Sequence, residues 1–328
     1  MESSTPDPHQ VPRFTGIKSF YRLPIFTNKE QLNTHKKNIG IIGIPFDSGC
    51  TYRTGARFGP SAVRDASVII RPFSIYHKLH LYENFNCLDM GDLATNPFNN
   101  KETVKMINTQ IDSYMDMGVD YPFFIGGDHT ISYPILKSMN KKHGKISLIH
   151  FDSHFDTWEE YFGENVTHGT PFKRVFEEDL IDVDSSIHVG IRGTINSRED
   201  LDNDKKIGFE TIFCHETEQL GLDGIAQKIM DRVGDNKVYI SLDVDVVDPA
   251  FAPGTGTPEC GGYSSSQILS IIRKLKKLNI VGGDVVEVAP PYDNSSITAQ
   301  LASTIDRKST RLNSSHRCIS YAVFCLKK

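Results

Sequence analysis

The residues best suited to chemistry in this sequence follow directly after an apolar run. Residues 146–151 form this run, which has the length and β-branched content of a buried strand, and Asp152, His154 and Asp156 follow it at a spacing of two. Side chains two residues apart share one face of an extended chain, so these three groups would project together. Carboxylates and imidazoles bind metal ions, and their concentration at one strand end indicates a metal site.

Two further apolar runs lead to groups of the same kind. Residues 238–242 are followed by Asp243 and Asp245, and residues 121–125 are followed four residues later by His129. Ionised carboxylates crowded at the ends of buried strands cost on the order of several kcal/mol unless they are paired or bind a metal. Divalent cations would supply the missing counter-charge.

Short apolar runs alternate with helical patterns along the chain and must position these groups. The runs are residues 38–45, 86–90, 121–125, 146–151, 186–191, 209–213, 238–242 and 280–286. The helical patterns are residues 102–117, 131–139, 171–178, 224–233 and 266–278, and Pro60 can begin one more helix. This alternation predicts an α/β fold in three layers and one domain, with an eight-stranded parallel sheet and helices on both faces. Ligands bind beyond the carboxyl ends of such strands, where the candidate groups lie.

The motifs of the chain resemble those of the ureohydrolase family, which contains arginase, agmatinase and the guanidino-acid hydrolases. They are GGDH at 126–129, D-x-H-x-D at 152–156, HGTPF at 168–172, S-x-D-x-D-x-x-D-P at 241–249 and DVVEVAPPYD at 284–293. Ordered motifs span residues 38 to 305, and the agreement is closest to agmatinase and guanidinobutyrase. The resemblance implies an arginase-like fold and the hydrolysis of a guanidino compound to urea and an amine.

The resemblance also implies two bound metal ions per chain. Four residues would surround each ion: His129, Asp152, Asp156 and Asp243 the first, and His154, Asp152, Asp243 and Asp245 the second. Asp152 and Asp243 would bridge the two ions. Four carboxylates and two imidazoles without cysteine form a hard donor set, which favours two Mn²⁺ over zinc.

Three residues are predicted to act in catalysis. Glu287 matches the family glutamate that binds the guanidinium through paired, charge-assisted hydrogen bonds. His168 matches the family histidine that passes a proton to the leaving amine. Both would contact the substrate, and Asp156 would act in catalysis as well as in metal binding.

The loop at 157–167 is expected to meet the far end of the substrate. It lacks the serine- and asparagine-rich segment of arginase-like sequences, so arginine is disfavoured. The ammonium of agmatine would suit the acidic side chains Glu159, Glu160 and Glu164. The carboxylate of a guanidino acid would suit Trp158 and Tyr161 as donors. We expect agmatine as the substrate, with 4-guanidinobutyrate or a related guanidino acid as the alternative.

Two hypotheses from other classes are a zinc deacetylase of the same fold and a ligand-binding homologue without activity. The deacetylases keep one zinc, so the presence of His154 and Asp245 counts against the first hypothesis. The inactive homologue would require the loss of a metal-binding residue. All six predicted metal ligands are present, which counts against this hypothesis.

Composition excludes several other roles. The formal charge is 36 − 41 = −5, which gives no reason to expect a nucleic-acid partner. No apolar run approaches the roughly 20 residues of a membrane helix, and the polar N-terminus does not resemble a signal peptide. The six cysteines form no CxxC pair and are expected to be reduced thiols. We predict a cytoplasmic enzyme and, by family resemblance, a homo-oligomer, trimeric or hexameric.

The chain divides into three regions by composition. Residues 1–37 are polar and are predicted to form an irregular arm, and residues 38–306 the catalytic domain. Residues 307–328 carry six Lys or Arg and no acid, and they interrupt the helical pattern of 297–306. We interpret them as a non-native basic tail that replaces the end of the last helix, a natural basic tail being the alternative.

Overall fold

The computed structural model describes residues 6–7 and 9–306. Its strands are β1 Lys37–Ile44, β2 Phe73–Ser74, β3 Leu79–His80, β4 Phe85–Asp92, β5 Tyr121–Gly126, β6 Ser147–Phe151, β7 Ile187–Ile191, β8 Glu210–Phe213, β9 Lys237–Asp243 and β10 Asn279–Val286. Its helices are α1 Gly59–Ser67, α2 Leu81–Asn84, α3 Asn100–Met117, α4 Ser132–His143, α5 Pro171–Glu177, α6 Arg198–Ile207, α7 Thr217–Val233 and α8 Ser265–Lys274. Residues 297–306 are also helical.

The main sheet contains eight strands in the order β4-β1-β5-β10-β9-β6-β7-β8. All neighbouring strands in this sheet are parallel. Each of the eight strands predicted from the sequence corresponds to one strand of the sheet. Strands β5, β10, β9 and β6 are consecutive in this order, so their carboxyl ends lie side by side. The predicted eight-stranded parallel sheet is confirmed.

Both faces of the sheet are covered by apolar layers. On β1, Ile39 and Ile41 belong to one apolar cluster, whereas Ile42 and Ile44 belong to the other. The alternation follows from the two-residue period of a strand. A parallel sheet buried on both faces explains why its strands read as nearly continuous apolar runs rather than as alternating ones.

The short helix α2 was not predicted, and two longer helices also differ from the predicted pattern. Helix α6 was not predicted, because its sequence REDLDNDKKI is almost entirely polar; it begins at a capping box formed by Ser197 and Asp200. Helix α7 begins seven residues before the predicted 224–233, and Gly221 with a φ of 62° interrupts its first part. The two-stranded pair β2-β3 was also not predicted.

Part of the N-terminal region packs onto the catalytic domain. Phe20, Tyr21 and Leu23 are buried, and the Tyr21 hydroxyl donates to the carbonyl of Ser303 at 2.9 Å. This segment therefore contacts the helical residues 297–306. The predicted basic tail, 307–328, lies outside the described residues. None of the described helices has the length and apolarity that crossing a membrane requires.

Candidate active site

Four consecutive strands deliver the predicted metal and substrate residues to one edge of the sheet. Asp152 follows β6, Asp243 ends β9, Glu287 follows β10, and His129 lies three residues beyond β5. All four residues are buried. The fold thus brings together motifs that are up to about 160 residues apart in sequence, as expected for the ligand-binding edge of a parallel sheet.

The imidazole of His129 faces three carboxylates. Its Nδ1 atom lies 3.1 Å from Asp152, 3.0 Å from Asp156 and 3.4 Å from Asp243. None of these contacts has hydrogen-bond geometry, so the buried Nδ1 atom has no hydrogen-bond partner among the described residues. A nitrogen lone pair pointed among carboxylate oxygens has the arrangement of a metal ligand.

Polar partners on the far side of His129 hold its ring in this orientation. Its Nε2 atom lies 2.9 Å from the hydroxyl of Ser241, and that hydroxyl donates to Asp284 at 2.7 Å. Because the serine proton is used on Asp284, the Nε2 atom of His129 is the donor to Ser241. This assignment leaves the lone pair on Nδ1, as a metal-binding histidine requires.

His154 forms a second group with two other carboxylates. Its Nδ1 atom lies 3.4 Å from Asp152 and 3.1 Å from Oδ2 of Asp245. That Asp245 oxygen is buried and accepts no hydrogen bond from the described residues. The two groups share Asp152, which agrees with the bridging position that the resemblance implies.

The crowding of these acidic side chains raises the pKa of three of them. Burial, followed by the charge of Asp152, raises the pKa of Asp245 to about 6. Burial, followed by the charges of Asp245 and Asp152, raises the pKa of Asp243. Burial and Asp152 likewise raise the pKa of Asp156. Carboxylates with raised pKa values are stabilised in the ionised form by a cation. The predicted ligands therefore form a buried cluster of His and Asp side chains that could hold metal.

Backbone strain coincides with two of the candidate residues. Asp156 has a φ of 54° and Glu287 a φ of 65°, in the left-handed region that L residues rarely adopt. Such conformations cost about 1–3 kcal/mol and persist where the surrounding structure enforces them.

Glu287 and His168 form a pair next to the carboxylate cluster. One oxygen of Glu287, Oε1, accepts from the backbone N–H of His129 at 2.9 Å and lies 3.2 Å from Nδ1 of His168. The other oxygen, Oε2, is buried without a hydrogen-bond partner among the described residues. Burial lowers the pKa of His168, but the hydrogen bond and the charge of Glu287 outweigh it and raise this pKa to about 9. His168 can therefore hold a proton at neutral pH.

The loop after β6 brings Trp158 and Tyr161 close to His168. Their rings lie 5.9 Å apart, and both pack against Gly169, where an added Cβ would lie 2.7 Å from the Tyr161 ring. Burial, then the charge of Asp156, raises the pKa of Tyr161 to about 12, so its hydroxyl stays protonated. Trp158 also lines a 370 Å³ cavity beside α5 and α6.

Two of the three glutamates of this loop form ion pairs with basic side chains. Glu159 lies 3.2 Å from Lys173 and 3.6 Å from Arg174. Glu164 lies 3.6 Å from Lys101. These pairs reduce the charge that either glutamate could offer to a substrate ammonium.

Sequence reasoning missed a chain of buried polar groups behind the cluster. His150 Nε2 lies 2.8 Å from Asp152, and His150 Nδ1 lies 2.7 Å from Nδ1 of His188. His188 Nε2 in turn lies 3.4 Å from Asp204 on α6. The position of His150, two residues before Asp152, could have indicated that its side chain faces the cluster. The other two groups, His188 and Asp204, lie on other elements, which the sequence pattern does not connect to it.

The sequence matches the family described as the Arginase family over residues 37–309. The chain belongs to the arginase family. It is 39% identical over 297 residues to a guanidinobutyrase of Pseudomonas aeruginosa, covering 90% of this chain and 92% of that protein. It is 38% identical over 300 residues to the mitochondrial agmatinase of Gallus gallus, covering 92% of this chain and 86% of that protein.

A solved structure of the arginase family supports the same assignment. Proclavaminate amidino hydrolase from Streptomyces clavuligerus superposes with a TM-score of 0.87 at 35% identity, covering 93% of this chain and 99% of that one. The predicted family, the arginase-like fold and the class of hydrolase acting on guanidino compounds are confirmed.

Proposed function

We propose that this enzyme hydrolyses a guanidino compound to urea and an amine at a pair of manganese ions. The observation that carries the proposal is the buried Glu287. Its Oε1 atom accepts from the backbone N–H of His129 in the cluster of candidate metal ligands, and its Oε2 atom has no hydrogen-bond partner among the described residues. Guanidinium stays charged at every relevant pH, so a buried carboxylate is its natural partner. When bound, two divalent ions would supply an attacking water of lowered pKa.

The protein residues have separate tasks in this proposal. Glu287 would bind the guanidinium and orient its central carbon, which lowers the entropic barrier to attack. Asp156 would accept a hydrogen bond from the attacking water. His168 would donate a proton to the departing nitrogen as the carbon–nitrogen bond breaks, a contribution typically worth about 10²- to 10⁴-fold.

Agmatine is the proposed substrate because a second positive charge suits the acidic site. The four carboxylates among the candidate metal ligands, Glu287 and Asp128 are all buried in this site. The pairing of Glu159 and Glu164 with basic residues means that the proposal rests on this field rather than on those two side chains.

A guanidino acid such as 4-guanidinobutyrate is the second candidate, and one observation favours it. The guanidinium of Arg53 lies 5.0 Å from the ring centre of Tyr292 and 5.4 Å from that of Tyr52. The backbone carbonyl of Arg53 lies close to Gly256, which neighbours Oε2 of Glu287. An arginine whose backbone borders the site could pair with a substrate carboxylate.

A substrate panel tests both candidates. The manganese-loaded enzyme is given agmatine, 4-guanidinobutyrate and arginine, and urea is measured. We expect agmatine to give the highest kcat/KM. A preference for 4-guanidinobutyrate that is lost in Arg53→Ala would support the second candidate, and no urea from any compound would contradict the proposed activity.

Other features stay predictions from the sequence. They are two Mn²⁺ per chain, a trimeric or hexameric assembly, a cytoplasmic location, and the contact of Trp158 and Tyr161 with the substrate.

A further inference from the structure

Cys50, His168 and Glu287 form a third group of potential ligands, in which Cys50 has no role in the proposed reaction. One ligand atom from each lies within 4.8 Å of the others. His168 Nδ1 and Glu287 Oε1 are 3.2 Å apart, and the Cys50 sulfur lies 3.8 Å from the buried Asp128. None of these residues belongs to the six-residue manganese set.

The surroundings of Cys50 argue against a role as nucleophile. Burial, followed by the charges of Glu287 and Asp128, raises the pKa of this thiol far above its ordinary range. A thiol that stays protonated reacts poorly. The same negative groups attract a cation, and Glu287 Oε2 is a buried oxygen without a hydrogen-bond partner among the described residues.

We propose that a thiophilic divalent cation, such as Zn²⁺ or Cd²⁺, binds among Cys50, His168 and Glu287. A thiolate, an imidazole and a carboxylate are the donors that zinc selects, whereas the manganese set contains no sulfur. Tetrahedral zinc with bonds of about 2.0–2.3 Å places its ligand atoms roughly 3.5 Å apart. Since the three donors already lie within 4.8 Å of one another, no pair needs to close by more than about 1.3 Å.

Binding would proceed without redox chemistry. The Cys50 thiol and the His168 imidazolium each lose one proton to solvent, bonds from the metal to the sulfur, the imidazole nitrogen and the Glu287 carboxylate form, and a water completes the coordination. The inference rests on the proposed function in one respect, namely that the ion excludes the substrate because Glu287 binds guanidinium. The site would therefore make the enzyme sensitive to inhibition by soft metals.

Cadmium binding to the manganese-loaded enzyme tests the site directly. We expect a thiolate-to-cadmium absorption band, one additional metal ion per chain and unchanged manganese content. The band should be lost in Cys50→Ala and in the closer isostere Cys50→Ser. It should persist in Cys260→Ser, which alters the exposed thiol among the described cysteines. A band that survives both Cys50 variants, or cadmium that only replaces manganese, would overturn the proposal.

Inhibition kinetics separate this proposal from the proposed function. Zinc should inhibit urea release competitively with the guanidino substrate. The inhibition constant, taken relative to each variant's own uninhibited rate, should rise by more than about 10-fold in Cys50→Ala, the least that loss of an outer partner of a metal usually causes. If cadmium binds through Cys50 but zinc does not compete, the metal site stands and the assignment of Glu287 to guanidinium fails.

Discussion

At the scale of single residues, the site brings together buried acidic groups that a cation would stabilise. Asp152, Asp243 and Asp245 are all buried at one edge of the sheet, and His129 presents an unpartnered nitrogen to them. Glu287 adds a further buried carboxylate, bound on one oxygen and free on the other. Under the proposed function, this division of charges would separate a metal region from a guanidinium region only a few side chains away.

The first prediction concerns Glu287. Glu287→Gln should nearly abolish urea release but keep the manganese content, because Gln cannot form the charge-assisted pair with guanidinium. Losing a hydrogen bond to a charged group costs about 1.5–3 kcal/mol, and a bidentate contact more. Steady-state kinetics and elemental analysis measure the two effects. Glu102→Gln, on the exposed side of α3, is the matched control. Loss of manganese in Glu287→Gln would show that Glu287 acts in metal binding instead.

The second prediction concerns Asp245 and pH. Its pKa is raised to about 6 by burial and then by Asp152, so below pH 6 a proton occupies the carboxylate that the metal needs. Manganese affinity should therefore weaken as pH falls through about 6, by up to about tenfold per pH unit for each proton displaced. Titration with buffered Mn²⁺ between pH 5 and 8 measures this slope. An affinity that does not change over this range would contradict the prediction.

The six candidate ligands and Glu287 could be singled out because each lies at or shortly after the end of a strand in a recognisable motif, and His168 because its HGTPF motif, just before α5, resembles that of the family. His150, His188 and Asp204 could not, because their relation is only spatial. Two of them lie on β6 and β7, which become neighbours in the sheet, and the third lies on the polar helix α6. Cys50 was set aside as a packing thiol, since its approach to Glu287 depends on how the loop after β1 folds.

At the scale of elements, the loop between β1 and α1 closes over the strand ends. The backbone N–H of Gly49 donates to Asp128 at 2.8 Å, and its carbonyl accepts from the N–H of His168 at 3.1 Å. Two residues later, the side-chain hydroxyl of Thr51 lies 2.8 Å from Nε2 of His168. The loop thus fixes the ring expected to donate the proton.

The third prediction follows from the tight packing of Gly49. An added Cβ would lie 2.1 Å from the Thr130 hydroxyl and 2.9 Å from Asp128. Gly49→Ala should therefore displace the loop, lower stability by about 1–3 kcal/mol and reduce kcat through misplacement of His168. Thermal denaturation and urea release measure these changes.

The control for this change is Gly224→Ala on α7. Its Cβ would meet Leu220 at 3.4 Å, an ordinary contact, and alanine is favoured over glycine in a helix by up to about 1 kcal/mol. This variant should be as stable as the parent or more so. Equal behaviour of the two variants would mean that the β1–α1 loop tolerates a shift without effect on His168.

At the scale of the whole molecule, an N-terminal segment joins distant parts of the fold. Phe20 packs beneath the guanidinium of Arg64, 4.0 Å from the ring centre, and Arg64 binds Asp89 of β4 at 3.0 Å. Tyr21 reaches the helical residues 297–306 through Ser303. The sequence pattern placed the start of the domain at residue 38 because residues 1–37 contain no periodic apolar run, and three isolated apolar side chains leave no periodic signal.

The fourth prediction compares two N-terminal deletions. Removal of residues 2–18 should change the free energy of unfolding little, since most described residues of this stretch are exposed. Removal of residues 2–23 also takes away the buried Phe20, Tyr21 and Leu23. Each buried apolar side chain contributes about 1.5–3 kcal/mol, so the longer deletion should destabilise the protein by several kcal/mol.

Chemical denaturation of the manganese-loaded proteins measures both deletions, and Tyr21→Phe isolates the hydroxyl. That variant should cost about 1–3 kcal/mol, because it keeps the ring and removes the donor that Ser303 and the buried carboxylate of Asp306 share. If the longer deletion is as stable as the shorter one, the segment contributes nothing and the domain begins at residue 38, as the sequence pattern predicts. If only the longer deletion unfolds easily, the segment at 19–23 is part of the domain core, and the N-terminal boundary of the catalytic unit lies near residue 19.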